Sequence, residues 1–144
     1  MTEARAAPAT DAIEAAAAGL TREFAAADDV SAQLARLIAM GRAFAGLPDS
    51  EKNAATRVHG CQSQLWLTAE RSGEVMRFGA DSDSLVMRGL LAAILQVYDG
   101  QSPDAILRHR GGAVDDLILT LAPSRASGLR SLKQRIRETT EATL

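Results

Sequence analysis

Residues 57–67 read Arg-Val-His-Gly-Cys-Gln-Ser-Gln-Leu-Trp-Leu, and Cys61 is the only cysteine of the chain. A lone thiol either fills a core as a small hydrophobe or works as a nucleophile. The neighbours favour the second use. Gly60 opens backbone angles that other residues avoid, and Gln62-Ser63-Gln64 is no buried apolar run. Cys61 is therefore expected at a loop tip within reach of a partner, just before a strand. Its reactivity would need a lowered pKa or a base supplied from elsewhere. His59 lies two residues away. In an extended stretch the two side chains share a side, so His59 is a candidate to favour the thiolate, although a surface histidine without a role is the simpler reading. His109, between Arg108 and Arg110 and before Gly111-Gly112, reads as a solvated loop residue. Neither histidine sits in a recognisable hydrolase signature, so a Cys-His-Asp hydrolase is only weakly supported.

Other clusters carry less. Asp81-Ser82-Asp83 reads as helix-capping residues rather than a metal site, since the further acids of a calcium loop are missing. Arg125, Arg130, Lys133, Arg135 and Arg137 read as a solvated helix face rather than an RNA-binding surface, because aromatic residues make up only 3% of the chain. Taken alone, Arg125 in the turn Pro-Ser-Arg-x-x-Gly-Leu is a surface charge at a helix entry. No glycine-rich run ends in Lys-Ser or Lys-Thr, so a P-loop is excluded.

The elements that must position Cys61 follow from periodicity. Thr10 or Asp11 opens a short helix over 11–18, ended by Gly19, and Thr21 starts another turn. Asp28 or Asp29 opens a clearer helix with Val30, Leu34, Leu37, Ile38 and Gly41 on its apolar face, leaving through Leu47-Pro48-Asp49. Leu65, Leu67 and Ala69 alternate with Gln64, Trp66 and Thr68, a strand. Arg71-Ser72-Gly73-Glu74 is a hairpin turn and Val75–Phe78 the antiparallel partner, with Thr56–His59 a third strand. Ser82 or Asp83 caps the next helix, in which Leu85, Val86, Gly89, Leu90, Ala93, Ile94 and Val97 form one face until Gly100. Ser102-Pro103 starts a short helix and Gly111-Gly112 breaks it; 114–121 reads as another. The last helix runs from Pro123-Ser124 toward Glu141 on Leu129, Leu132 and Ile136. The result is an α+β domain over 10–144, behind a flexible tail over 1–9.

The composition of these 144 residues bounds the class. An apolar fraction of 47% with few aromatics means a core of Leu, Ile, Val, Ala and Met. A net charge of −2 gives no general pull toward nucleic acid or membrane. One cysteine makes neither an internal disulfide nor a thiolate zinc site, and a reducing compartment fits. The alanine-rich N-terminus carries Asp11 and Glu14 and is not read as a secretory or transit signal. A cytoplasmic protein is the expectation.

Three motifs in order resemble the SufE family of sulfur-acceptor proteins, which includes CsdE-type members: Val-His-Gly-Cys-Gln-Ser-Gln-Leu-Trp-Leu at 58–67, Asp-Ser-Asp-Ser-Leu-Val-Met-Arg-Gly-Leu at 81–90, and Pro-Ser-Arg-Ala-Ser-Gly-Leu at 123–129. A weaker match covers 37–48, followed by Asn53. Where family members usually carry aromatic residues, this chain has Val30-Ser31-Ala32-Gln33. The resemblance implies a SufE/IscU-like fold, a small antiparallel three-stranded sheet with helices packed on it. It implies that Cys61 accepts persulfide sulfur from a SufS- or CsdA-like cysteine desulfurase, stimulates that enzyme, and passes the sulfur toward a SufBCD-like iron–sulfur scaffold. The pyridoxal phosphate would belong to the desulfurase, leaving this chain with no cofactor or metal of its own. His59, Gly60, Gln62 and Arg125 are the supporting or partner-facing candidates, with Arg125 on a loop near Cys61. A stand-alone cysteine enzyme, an iron–sulfur scaffold and a purely structural role are the competing readings. A scaffold presents several thiolates, which one cysteine cannot.

Overall fold

The computed structural model describes residues 9–27, 29–60, 63–109, 115–116, 120 and 122–144. The tail expected over 1–9 falls outside these residues except for Ala9, which is already helical; most of the helix expected over 114–121 falls outside them, as do Cys61 and Gln62. Among the described residues the helices with defined bounds are α1 (Ala9–Ala25), α2 (Val30–Ala43), α3 (Leu85–Tyr98), α4 (Pro103–Arg108) and α5 (Ala126–Glu141), and residues 115–116 and 120 are also helical. Two strands, β1 (Leu65–Ser72) and β2 (Val75–Ser82), form an antiparallel hairpin closed by Gly73-Glu74. Gly73 takes a φ of 62°, which the tight turn requires.

The hairpin puts Leu65, Leu67 and Ala69 on one face with Met76, Phe78 and Ala80. All but Ala69 are buried, the alternation of a strand with one core face. α3 lies against that hairpin and against α1 and α2, and α5 lies against β1 and α4. The core is aliphatic as composition requires, with Ile13, Leu20, Leu37, Leu90, Leu91, Ile94, Leu132 and Ile136 nearly inaccessible. α2 and α3 approach closely through paired glycines. A Cβ on Gly41 would collide with the Leu85 carbonyl, and one on Gly89 with the Leu37 carbonyl.

Several expectations change. The sheet has two strands, not three: Thr56–His59 makes only a single bridge, Arg57 to Trp66. Its ladder bonds are Val58 N–H to Leu65 O at 2.8 Å and Leu67 N–H to Thr56 O at 2.9 Å. The run is cut at both ends. Asn53 Oδ1 accepts from the Ala55 and Thr56 amides and folds the preceding residues into a turn, and Gly60 leaves extended space with φ 95°. α1 is one helix through Gly19, where a break was expected, and Thr21 lies inside it, donating back to Ala17 O at 3.0 Å. Val30 and Leu34 are exposed, 59% and 37%, so the apolar stripe of α2 begins a turn later than its sequence suggests. Asp29 caps α2 and Ser102 caps α4, as expected.

Candidate functional site

Both flanks of the Cys61-Gln62 pair are tied to the fold. On the N-terminal side, Gly60 lies beside the first turns of α5. Ser127 Oγ donates to Gly60 O at 3.4 Å, and a Cβ on Gly60 would collide with Ser131 Oγ. Close approach and positive φ together make glycine the residue for this position. On the C-terminal side, Arg125 Nη1 donates to Ser63 Oγ at 2.6 Å. Gln64 is fixed twice, its amide donating to Asp83 Oδ1 at 2.9 Å and its carbonyl accepting from Ser82 Oγ at 2.6 Å.

The run Asp81-Ser82-Asp83-Ser84 is the hub of these ties. The cap of α3 is Ser84, not Ser82 or Asp83: its Oγ accepts from Met87 N–H at 3.3 Å. The same oxygen accepts from Arg125 Nη2 at 3.3 Å, so the entries of α3 and α5 share one guanidinium. Ser82 and Asp83 are turned to Gln64 instead, because β2 continues to Ser82 and carries them across from β1.

Asp81 does a different job. Its carboxylate is buried and paired with Arg88, with Lys52 Nζ at 3.0 Å, and accepts from the Leu47 and Ser82 amides at 3.0 and 2.8 Å. Burial pushes the carboxyl upward, but the Leu47 amide, Lys52, the Ser82 amide and the Arg88 charge outweigh it, and the group is held below the usual carboxylate range. Lys52 is held above its ordinary value, chiefly by its bond to Asp81. Arg88 also donates to the Gly41 and Phe44 carbonyls. The network clips the exit of α2 and the 44–52 segment onto the end of β2, beside the segment that carries Gln64.

The other predicted residues are placed as follows. His59 is exposed and makes no side-chain hydrogen bond among the described residues. It lies where two shallow depressions meet. One, about 400 Å³, is floored by Trp66 and walled by Lys52 and Arg57. The other, about 470 Å³, lies between Val58-His59 and α5, walled by Arg130, Arg135 and Glu138. Lys52 Nζ and the Arg57 guanidinium sit 5.4 and 5.9 Å from the Trp66 ring.

His109 is not a solvated loop residue. It is buried, its Nδ1 3.0 Å from Glu14 Oε1 and its ring edge-on to Tyr98. Burial lowers its pKa below the ordinary histidine value. The basic residues of α5 are also not a simple solvated face. Arg125 ties Ser63 and Ser84, Lys133 pairs with Asp115 at 2.6 Å, Arg135 donates to the Ala55 and Arg57 carbonyls, and Arg137 donates to the His109 carbonyl. Sequence reasoning missed Ser63, Ser84, Arg88 and Trp66, and read Asp81 as a capping residue where it is a buried ion-pair partner. The visible signal was four consecutive hydrogen-bonding side chains before a helix, which capping preference alone does not separate into roles.

Comparison with known proteins supplies the context. The model of the SufE family, described as an Fe-S metabolism associated domain, matches residues 18–140. An uncharacterized SufE-like protein of Rhizobium etli is 32% identical over 123 residues, covering 81% of this chain and 83% of that protein. A second, from Rhizobium meliloti, is 30% identical over 131 residues, covering 85% and 92%. The chloroplastic quinolinate synthase of Oryza sativa subsp. japonica is 38% identical over 89 residues, which are 61% of this chain and 12% of that enzyme. A hypothetical protein from Thermus thermophilus, solved in solution, superposes with a TM-score of 0.69 at 18% identity, covering 91% of this chain and 94% of its own, and has the same fold.

Proposed function

The chain belongs to the SufE family, whose domain is associated with iron–sulfur metabolism, and from that premise we propose that it is a sulfur-transfer protein with Cys61 as its acceptor. Sulfur comes from a pyridoxal-phosphate-dependent cysteine desulfurase, which this chain stimulates, and goes on to an iron–sulfur scaffold. No helix among the described residues is long and apolar enough to cross a membrane; a cytoplasmic setting is part of the proposal.

The observation that carries the reading is the pair of anchored flanks around the sole cysteine: Gly60 held by α5, and Ser63-Gln64 held by Arg125, Ser82 and Asp83. Such anchoring fixes where the chain enters and leaves the segment that carries Cys61. The chemistry is thiol–disulfide-type exchange. The Cys61 thiolate attacks the outer sulfur of the desulfurase persulfide, a new S–S bond forms on Cys61, and the desulfurase thiolate leaves with the electron pair of the broken bond. No net oxidation occurs. With no second cysteine in the chain, nothing within the protein resolves the persulfide and releases sulfide.

Arg125 is the group suited to favour the anion. Its guanidinium is bound to two neutral hydroxyls and sits on Ser63, two residues along the chain from Cys61. Gly60 serves as the hinge for delivery, and His59 and Gln62 face the partner. The protein is thus a relay rather than an enzyme in its own right.

The test is intact mass under non-reducing conditions after incubation with a cysteine desulfurase and L-cysteine. The expected result is a thiol-reversible gain of sulfur on the wild type and none on Cys61→Ser, together with faster alanine production by the desulfurase. No gain with desulfurases that are themselves active would overturn the relay and leave the stand-alone cysteine enzyme as the alternative.

A further inference from the structure

The chain carries two more acids than bases, yet the surface around His59 has the opposite sign. The two depressions that meet at His59 are lined by Lys52, Arg57, Arg130 and Arg135, against one acid, Glu138. Of these, Arg57, Arg130 and Arg135 form no ion pair among the described residues, and Lys52 is only partly matched. Arg135 spends its donors on the carbonyls of Ala55 and Arg57, which are neutral. Arg57 forms no ion pair among the described residues and lies over the Trp66 ring. Lys52 shares the buried Asp81 carboxylate with Arg88, two cations on one acid, and its other acid, Asp49, is fully exposed. Arg130 is exposed on α5. Glu138 faces the Gln134 amide at 3.2 Å. The belt begins next to Gly60, the anchor preceding Cys61.

We propose that this belt is the docking face for the sulfur donor, and that the partner meets it with Asp and Glu side chains around the mouth of its persulfide site. The inference rests on the sulfur-transfer reading and adds the chemistry of the partner surface to it. Opposite charges on a rim steer encounter and set orientation more than they add raw affinity. That suits a relay, which must bind, take sulfur and leave. The acidic balance elsewhere on the chain repels the same partner in the wrong orientations. Nucleic acid is the other polyanion that a basic belt attracts, but its bases need exposed aromatics to stack on, and this belt has only the half-buried Trp66, with two cations near its ring.

The test is binding of the full chain to a SufS-type cysteine desulfurase, followed by interferometry at low and high ionic strength. It compares the wild type with Arg130→Glu, with the milder Arg130→Gln, and with Arg22→Glu on α1 as a charge-matched control. Arg130→Glu is expected to weaken binding roughly fivefold or more at low salt, mostly through slower association, with Arg130→Gln intermediate. The difference shrinks at high salt, and Arg22→Glu matches the wild type. Affinity that depends neither on salt nor on Arg130, or an Arg22→Glu effect as large as that of Arg130→Glu, overturns the proposal. So does a polyuridine oligonucleotide that binds as tightly as the desulfurase and loses affinity on the same substitution. Persulfide on Cys61 at saturating desulfurase is read by mass in parallel. If it forms while the salt and Arg130 effects are missing, the docking face is wrong and the relay stands. If it never forms, the relay itself fails.

Discussion

Arg88 and Arg125 are both half-buried arginines that gather distant segments of chain, and they differ in what they are given to hold. Arg88 faces a buried carboxylate, Asp81, and two carbonyls at the exit of α2. Among the described residues, Arg125 faces only the hydroxyls of Ser63 and Ser84. In the first, the positive charge sits on a buried carboxylate that it shares with Lys52, and the product is architecture. In the second, geometry is fixed while the charge is left over, beside the segment that contains Cys61. Similar side chains thus serve the fold in one place and, on the proposed reading, the chemistry in the other. The deciding variable is whether an acid is supplied.

The largest effect should come from breaking the first pair. Asp81→Ala leaves Arg88 and Lys52 without their carboxylate in a largely buried site, and removing one partner of such a pair costs roughly 3–5 kcal/mol. For a domain of this size that is a fall of roughly 10–17 °C in Tm, read by circular dichroism. Arg125→Ala removes two hydrogen bonds to neutral hydroxyls, worth about 1–2 kcal/mol together, so its Tm should drop by only a few degrees. Its functional loss should be the larger one: slower persulfide transfer, and alkylation of Cys61 displaced to higher pH. Equal Tm losses in the two variants, with transfer unaffected in both, would break the comparison.

Next in size is pH. Asp81 has a folded pKa below its ordinary value of 3.8, so its stabilisation is complete above that value and is lost as pH falls through the folded pKa. His109 also has a depressed pKa, but for a base the meaning is different. Below its ordinary value of 6.5 the unfolded chain takes up a proton that the folded chain, with its histidine buried, resists. Stability should therefore begin to decline near pH 6.5 on acidification and decline again in the range where carboxylates titrate. His109→Phe keeps an edge-on ring against Tyr98 and should flatten the first decline only. Urea midpoints across the pH range check this, and a decline near pH 6.5 that survives His109→Phe assigns it elsewhere.

What could be read in advance divides along a physical line. Local signals were legible. Asp29 and Ser102 cap their helices, Gly73 makes its turn, and the motif around Cys61 identified the family. Properties set by remote segments were not. His109 looks like a loop residue by its neighbours Arg108 and Arg110, and only packing against α1 and α3 buries it. The basic residues of α5 form a polar face on a helical wheel, while their acceptors lie at Ala55, Arg57, Ser63 and His109. Thr56–His59 has strand-forming residues, but the Asn53 turn and Gly60 leave it too short to be more than a bridge. Asp83 has the right residue type for an N-cap, yet the register of β2 against β1 hands it to Gln64 and leaves the cap to Ser84.

The finest discrimination lies at Ser84, because it both caps α3 and accepts from Arg125. Ser84→Asp retains a good capping oxygen at a helix N-terminus, where negative charge is also favoured. Stability should stay within about 1 kcal/mol of the wild type. The substitution does, however, give Arg125 what Arg88 already has, a carboxylate partner. If surplus positive charge is what Arg125 contributes, persulfide transfer to Cys61 should slow toward the Arg125→Ala level with the fold intact, and Cys61 alkylation should shift to higher pH. If transfer is unchanged in Ser84→Asp but lost in Arg125→Ala, then the guanidinium acts by holding Ser63 in place and its charge is incidental. Ser84→Ala separates these further, since it removes one hydrogen bond and the cap, about 1 kcal/mol, while leaving the charge of Arg125 unmatched and transfer close to that of the wild type.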